Sequence, residues 1–266
     1  MSQEQLRIFF FLGVFAFLSL LEFFLPRREL EESKKKRWFS NLSLIFIGNI
    51  CVKLFLPITV IEFSLWVQSH DLGFLNFLAV PQFFTFVLGL LFLDLAIYVQ
   101  HVIFHKVNFL WKIHRVHHVD KDIDVTTGLR FHPLEIILSL FIKISVVFLL
   151  GISPFTIFVF EIILNTTSMF NHSNLSLPLY LDKILRFFVV TPDMHRVHHS
   201  VYLKETDSNF GFNLPWWDYL FNTYVSQPKD GHRKMKIGMK HFRSKKYISL
   251  LVLLLLPFFS LKKKDL

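Results

Sequence analysis

The stretch LRIFFFLGVFAFLSLLEFFL, residues 6–25, has only Arg7 and Glu22 as charges. A bilayer is crossed by about 20 helical residues, so this run is long enough to span one. It is long for a secretory signal, lacks an A-x-A-like cleavage site and is followed by charges, which favours a retained helix. Further apolar runs lie at 39–61, 82–104, 134–153 and 154–171. A shorter one at 247–260, interrupted by a proline, suits an interfacial or re-entrant segment as readily as a span. Residues 62–81 resemble an amphipathic loop lying on the membrane. The composition agrees: 53% of the chain is apolar and 17% aromatic, too much for an ordinary soluble domain. The expected fold is an all-α integral membrane protein with four to five transmembrane helices. Without a glycine- or proline-rich linker, one membrane domain is the economical reading. It divides into N-terminal helices and loop (1–81), a histidine-bearing core (82–226) and a basic tail with the short apolar segment (227–266).

Charge orients these spans. PRRELEESKKKR follows the first run, and KDGHRKMKIGMKHFRSKK and a terminal KKK mark the tail. Positive residues in short loops favour the cytoplasmic side, placing 26–37 and the tail inside and the N-terminus outside. The membrane is expected to be crossed several times. The net charge of +9 follows from this rule and from anionic headgroups, with no nucleic-acid partner. The one cysteine, Cys51, excludes an intramolecular disulfide and a cysteine-held iron–sulfur cluster.

Ten of the thirteen histidines fall between 101 and 199. His101 and His105 are spaced i, i+4 and share a helical face. If their helix begins at Gln82, His101 lies roughly 28 Å along it, near the inner hydrocarbon boundary. The pentapeptide HRVHH occurs at 114–118 and again at 195–199 with unrelated flanks. In each copy the first histidine and the last two are related by i+3 and i+4, so three imidazoles converge on one side of a turn. His172 ends the 154–171 run at the same membrane face, and His132 precedes Pro133 at the start of the preceding one. His70, His232 and His241 fall outside the pattern, with surface positions expected. On this topology both HRVHH copies lie in a cytoplasm-facing, histidine-rich helical cap. Nine or ten imidazoles exceed what one ion needs and suit two metals with open positions. Zinc, copper, iron and nickel all accept an all-imidazole set.

These boxes, H-x3-H, H-x2-H-H, a lone histidine after a span and a second H-x2-H-H, resemble the fatty acid hydroxylase/sterol desaturase superfamily. FHPLE at 131–135 and NFGFNLPWWDYLFNTY at 209–224 are similar to its bacterial members. The resemblance covers about residues 85–226. It implies a membrane oxidoreductase whose two iron ions activate O₂ against a C–H bond of a lipid, with zinc able to replace iron in purified protein. Carried over residue by residue, the implied ligands are His101, His105, His114, His117, His118, His172, His195, His198 and His199, with His132 added from the His-Pro element.

Asp94, Asn171 and Asp193 are candidates to orient these ligands, because metal-bound imidazoles usually donate their other N–H to a carboxylate or carbonyl. Glu161 shares a face with His172 but is too far along the helix to touch it. Trp216 and Trp217 suit membrane-interface anchors. Hydroxylation, desaturation and cleavage of an alkyl ether all begin with the same hydrogen abstraction and stay open. A histidine-lined metal transporter is the alternative from a different class, but it calls for ligands spread through the bilayer depth. With no haem- or flavin-binding segment in view, electrons are expected from a separate ferredoxin or cytochrome with its reductase.

Overall fold

The computed structural model describes residues 1, 3–77 and 80–260. The terminal KKK used above for orientation lies outside them. Every regular element among the described residues is helical, and β pairing is limited to two isolated bridges. The long helices are α1 (Gln3–Phe24) and α2 (Lys34–Phe55). Two short helices follow, α3 (Val60–Ser69) and α4 (Phe74–Phe77), and then α5 (Gln82–Lys106). α6 (Asn108–His118) carries the first HRVHH, and a 3-10 turn (Val125–Leu129) leads to the hairpin of α7 (Pro133–Leu150) and α8 (Pro154–Asn171). The cap continues with α9 (Leu179–Leu185) and α10 (Pro192–His198), which holds most of the second HRVHH. Short helices α11 (Leu203–Thr206), α12 (Trp216–Leu220) and α13 (Gly231–Lys234) precede a terminal helix, α14 (Leu250–Leu255).

Local chemistry sets the ends of these helices. Pro133 and Pro154 occupy first-turn positions, where a missing N–H costs nothing, and the His132 and Ser153 side chains accept from Leu134 and Thr156 N–H. Gly151 closes α7 at φ 70°, a left-handed conformation that favours glycine. Its carbonyl accepts from Gln68 Nε2 at 2.8 Å, which ties α3 to the α7–α8 turn. Thus 62–81, expected as a loop, contains most of α3 and all of α4, folded over the end of the bundle opposite the histidines. α2 and α7 approach closely at Gly48, where a Cβ would collide with Ile136. Small residues permit such contact between membrane helices.

Among the described residues, four stretches are long and apolar enough to cross a membrane: Gln3–Phe24, Lys34–Phe77, Gln82–Lys106 and Pro133–Leu150. α8, expected as a further span, is not among them; Glu161, Asn165 and Asn171 lower its hydropathy. The segment 247–260 holds no helix long enough to span. α14 is six residues long and packs beside α2. Arg115 Nη2 donates to the carbonyls of Leu256 and Phe259 just beyond it.

Several charges expected to face the cytoplasm are internal. Arg37 is fully buried in the first turns of α2, with Nε 2.9 Å from Asp120 Oδ1 and Nη1 against Asp124. Burial alone would raise the Asp120 carboxyl, but Arg37 and Arg130 overcome it and hold the pKa low. Glu22, at the histidine end of α1, accepts from Val125 N–H and Asn174 N–H, fastening the 3-10 turn and the segment after α8. Arg27 clamps α10 by pairing with Asp193 at 2.7 Å.

Candidate metal centre

Nine histidines meet at one end of the bundle, all buried. They form two groups: His101, His105, His114, His118 and His198, and His117, His172, His195 and His199. Within each group one nitrogen from every ring lies within 4.8 Å of the others. In the first, His118 Nε2 is 3.1 Å from His105 Nε2 and 3.2 Å from His114 Nε2. In the second, His172 Nε2 is 3.0 Å from both His117 Nε2 and His195 Nε2. Nitrogens about 2.1 Å from a common ion and about 90° apart are separated by about 3.0 Å, so the spacing fits coordination. The groups are neighbours, with the His118 and His199 rings stacked at 4.6 Å.

The repeat of HRVHH is now explained by helix geometry. His114 and His118, four apart on α6, join the first group, while His117 turns to the second. The other copy divides the opposite way: His198 joins the first group, and His195 and His199 the second. Each pentapeptide therefore serves both groups. Arg115 and Arg196 point away from the rings and are buried: Arg115 holds the tail, and Arg196 pairs with Asp193.

The outer nitrogens decide which lone pair is offered. Nδ1 of His101 donates to the Phe210 carbonyl, that of His172 to Ser168 and that of His198 to Ser208, at 2.8, 2.8 and 2.7 Å. His114 Nδ1 is 2.7 Å from Glu135 Oε1, and His105 Nδ1 3.3 Å from Asp207 Oδ1. With Nδ1 as donor, Nε2 is left as the ligand atom. Nε2 of His198 and of His199 is buried without a hydrogen-bond partner, as an atom reserved for a cation would be. Burial first, and repulsion among the rings second, hold His117, His118, His195 and His199 well below the ordinary imidazole range. They are neutral at pH 7 and free to give a lone pair. An all-imidazole set, desolvated and aimed inward, fits two transition-metal ions, iron among them.

His132 is outside both groups. Its Nδ1 caps α7 and its Nε2 donates to the Leu254 carbonyl at 3.2 Å, so both nitrogens are engaged in holding the chain. None of the three expected orienting residues touches a ring of the nine. Asp94 accepts from Trp217 Nε1 at 2.8 Å and Leu214 N–H at 3.3 Å, because its side chain faces the 210–218 segment. Asn171 donates to the Phe212 carbonyl, and Asp193 is taken by Arg27 and Arg196. They steady the backbone around the rings instead. Trp217, expected as an interface anchor, is thereby tied to Asp94. His70 and His241 are exposed as expected, but His232 is buried beside Asp193, and burial lowers its pKa to about 4.

Glu135 and Asp207 reach the rings and Asp218 acts behind one of them, and none of the three was among the expected residues. Glu135 lies in FHPLE, but only its histidine attracted notice. Asp218 receives Phe210 N–H and Gly211 N–H at 2.8 and 2.7 Å, which positions the carbonyl beneath His101. Its signal was the WD pair in the 209–224 segment.

A cavity of about 180 Å³ opens from His101, His114 and His117 into the bundle. Ile45, Ile97, Phe104, Leu129, Ile136 and Phe212 give it apolar walls, and Lys143, Ser139 and Asn165 also line it.

Four membrane-length apolar stretches and nine inward-facing imidazoles at the head of an apolar cavity give the described residues the architecture of a helical membrane protein with a candidate metal centre. The chain belongs to the fatty acid hydroxylase family, whose model matches residues 86–223. It is 32% identical over 152 residues to ornithine lipid hydroxylase OlsE of Rhizobium tropici, covering 56% of this chain and 44% of that protein. Alkylglycerol monooxygenase of Xenopus tropicalis is 30% identical over 158 residues, 59% of this chain and 33% of that one. Cholesterol 25-hydroxylase of Mus musculus is 27% identical over 175 residues, 65% of this chain and 56% of that one. The match thus spans less than half of the first two relatives. No solved structure matches the chain.

Proposed function

We propose that the protein is an O₂-dependent lipid hydroxylase. His101, His105, His114, His118 and His198 would hold one iron ion, and His117, His172, His195 and His199 the other. Two iron ions held there would supply the means to activate O₂ against an unactivated C–H bond. The chain's own part is to aim nine lone pairs, exclude water and bring an alkyl chain to the rings. Nδ1 bonds to Phe210, Ser168, Ser208 and Glu135 fix the ring orientations. Phe131, stacked on His117 at 4.6 Å, and the apolar cavity walls keep the approach dry. The observation that carries the reading is the pair of adjacent all-histidine groups at the head of that cavity.

The names of the relatives support oxygen insertion over desaturation, and similarity to alkylglycerol monooxygenases favours attack beside an ether oxygen as a second reading. Transport of metal is disfavoured, since both groups gather at one end of the bundle and are not spread along it. On this reading the centre faces the cytoplasm of a bacterial inner membrane, and electrons come from a separate ferredoxin or cytochrome.

Lipid mass spectrometry of cells with and without the gene, grown in air, tests the proposal. A lipid gaining one oxygen atom is expected. A lipid losing two hydrogens instead would assign desaturation, and an unchanged lipidome with metal-loaded protein would refute the reading. Metal analysis of the extracted protein is expected to find two ions per chain, and one or fewer in a saturated sample would count against it.

A further inference from the structure

The cavity that starts at the histidines also reaches a charge cluster inside the bundle. Lys143 lines it, more than two turns beyond Glu135 on α7, about 12 Å along the axis. Lys143 Nζ lies 3.5 Å from Glu161 Oε1 on α8. The same carboxylate is already paired with Arg7 of α1, at 2.8 Å from Oε2. Among the described residues, two cations therefore share one carboxylate, with side chains 33% (Arg7), 17% (Lys143) and 9% (Glu161) exposed. Glu161, nearly buried, supplies one negative charge against two positive ones, so the cluster keeps a net positive charge. A surplus positive charge within a membrane bundle is costly, and such residues usually face a partner or a pathway. Here Lys143 borders a cavity that also has Ser139 and Asn165 in its wall.

We propose that Lys143 anchors the anionic headgroup of a lipid, a carboxylate or a phosphate monoester, whose chain runs back along the cavity to the histidines. Arg7 and Glu161 serve as the neutral support behind it. The inference rests on reading the histidines as an oxidising centre, and it adds a substrate class and a position. An extended chain covers about 3.5 Å in three bonds, so the rise of about 12 Å from Glu135 to Lys143 is spanned by roughly ten bonds. Between Lys143 and the rings, Ile136 and Leu164 offer the methylene chain apolar contact only.

The test measures binding, not turnover. Full-length protein in detergent is titrated with oleate, oleoyl lysophosphatidate and oleyl alcohol, with occupancy read by native mass spectrometry. Lys143→Met is expected to weaken the anions at least tenfold and leave oleyl alcohol unchanged, while Lys143→Arg restores anion binding. Whichever anion the wild type holds more tightly identifies the headgroup. Equal anion binding by Lys143→Met and wild type, or equal loss of all three lipids in a folded variant, would overturn the anchor. Should Lys143→Met fail to fold, Glu161→Gln decides: removing the competing carboxylate should maintain or strengthen oleate binding, and weakening refutes the proposal. Charge-dependent binding without any oxidation would sink the hydroxylase reading and leave the anchor standing. Oxidation indifferent to Lys143→Met would sink the anchor alone.

Discussion

Replacing Glu135 by alanine should remove metal from one histidine group and spare the other. The Glu135 carboxylate is 2.7 Å from His114 Nδ1, and the two side chains are 5% and 3% exposed. Loss of this acceptor leaves a buried N–H without a partner, which costs about 1–3 kcal/mol. It also frees the His114 ring to turn or to change tautomer. Loss of a partner behind a metal-bound imidazole lowers metal affinity about 10–100-fold, equivalent to about 1.4–2.8 kcal/mol. Because His114 belongs only to the group with His101, His105, His118 and His198, the loss should be confined there. Graded chelator dialysis followed by elemental analysis should take Glu135→Ala from two ions to one under conditions where wild type keeps both. Glu135→Gln retains an acceptor and should fall between them. Glu135 also occupies the first turn of α7, where an acidic residue is worth about 0.3–1 kcal/mol through the helix dipole. If that were its whole role, Glu135→Ala would lower the melting temperature slightly and release both ions together or neither. That outcome would refute the assignment.

Further expectations follow from the same geometry. His117→Ala and His198→Ala should each abolish product in a lipid assay, although they strike different groups; full activity in either would disprove a shared centre. His132→Ala should cost about 1 kcal/mol of stability through the lost cap and leave the metal count unchanged, with His132→Asn milder; loss of an ion would restore His132 to the ligands. Arg37→Met should destabilise the protein by about 3–5 kcal/mol in denaturant unfolding, because it leaves Asp120 and Asp124 underpaired in the interior. A cysteine at exposed Lys204, in a Cys51→Ser background, should resist membrane-impermeant reagents in intact cells. Labelling from outside would place the centre on the other face.

The sequence alone determined the helical, membrane-type architecture and the shared faces of His101 with His105 and of each HRVHH, because apolar run length and i, i+3 and i+4 spacing are local properties of a helix. Pro133 likewise marked the start of α7. The full ligand set, His132 included, came from the family resemblance. What the sequence could not determine was how the rings divide. His117 and His118 are adjacent in the chain yet serve different groups, a choice made by α8 and α10, which deliver His172, His195 and His199 to one side. The partners of the rings were equally hidden. Three are backbone carbonyls, of Phe210, Ser168 and Ser208, which any residue type could provide. Asp94 illustrates the limit. Its heptad spacing from His101 put it on nearly the same helical face, but two turns separate the side chains, and Trp217 and Leu214 were close enough to claim it. Arg37 illustrates the reverse, a charge that sequence placed in the cytoplasm and tertiary structure buried against Asp120 and Asp124. Helical periodicity states which residues can share a face, whereas hydrogen-bond partners over long separations depend on how the faces pack.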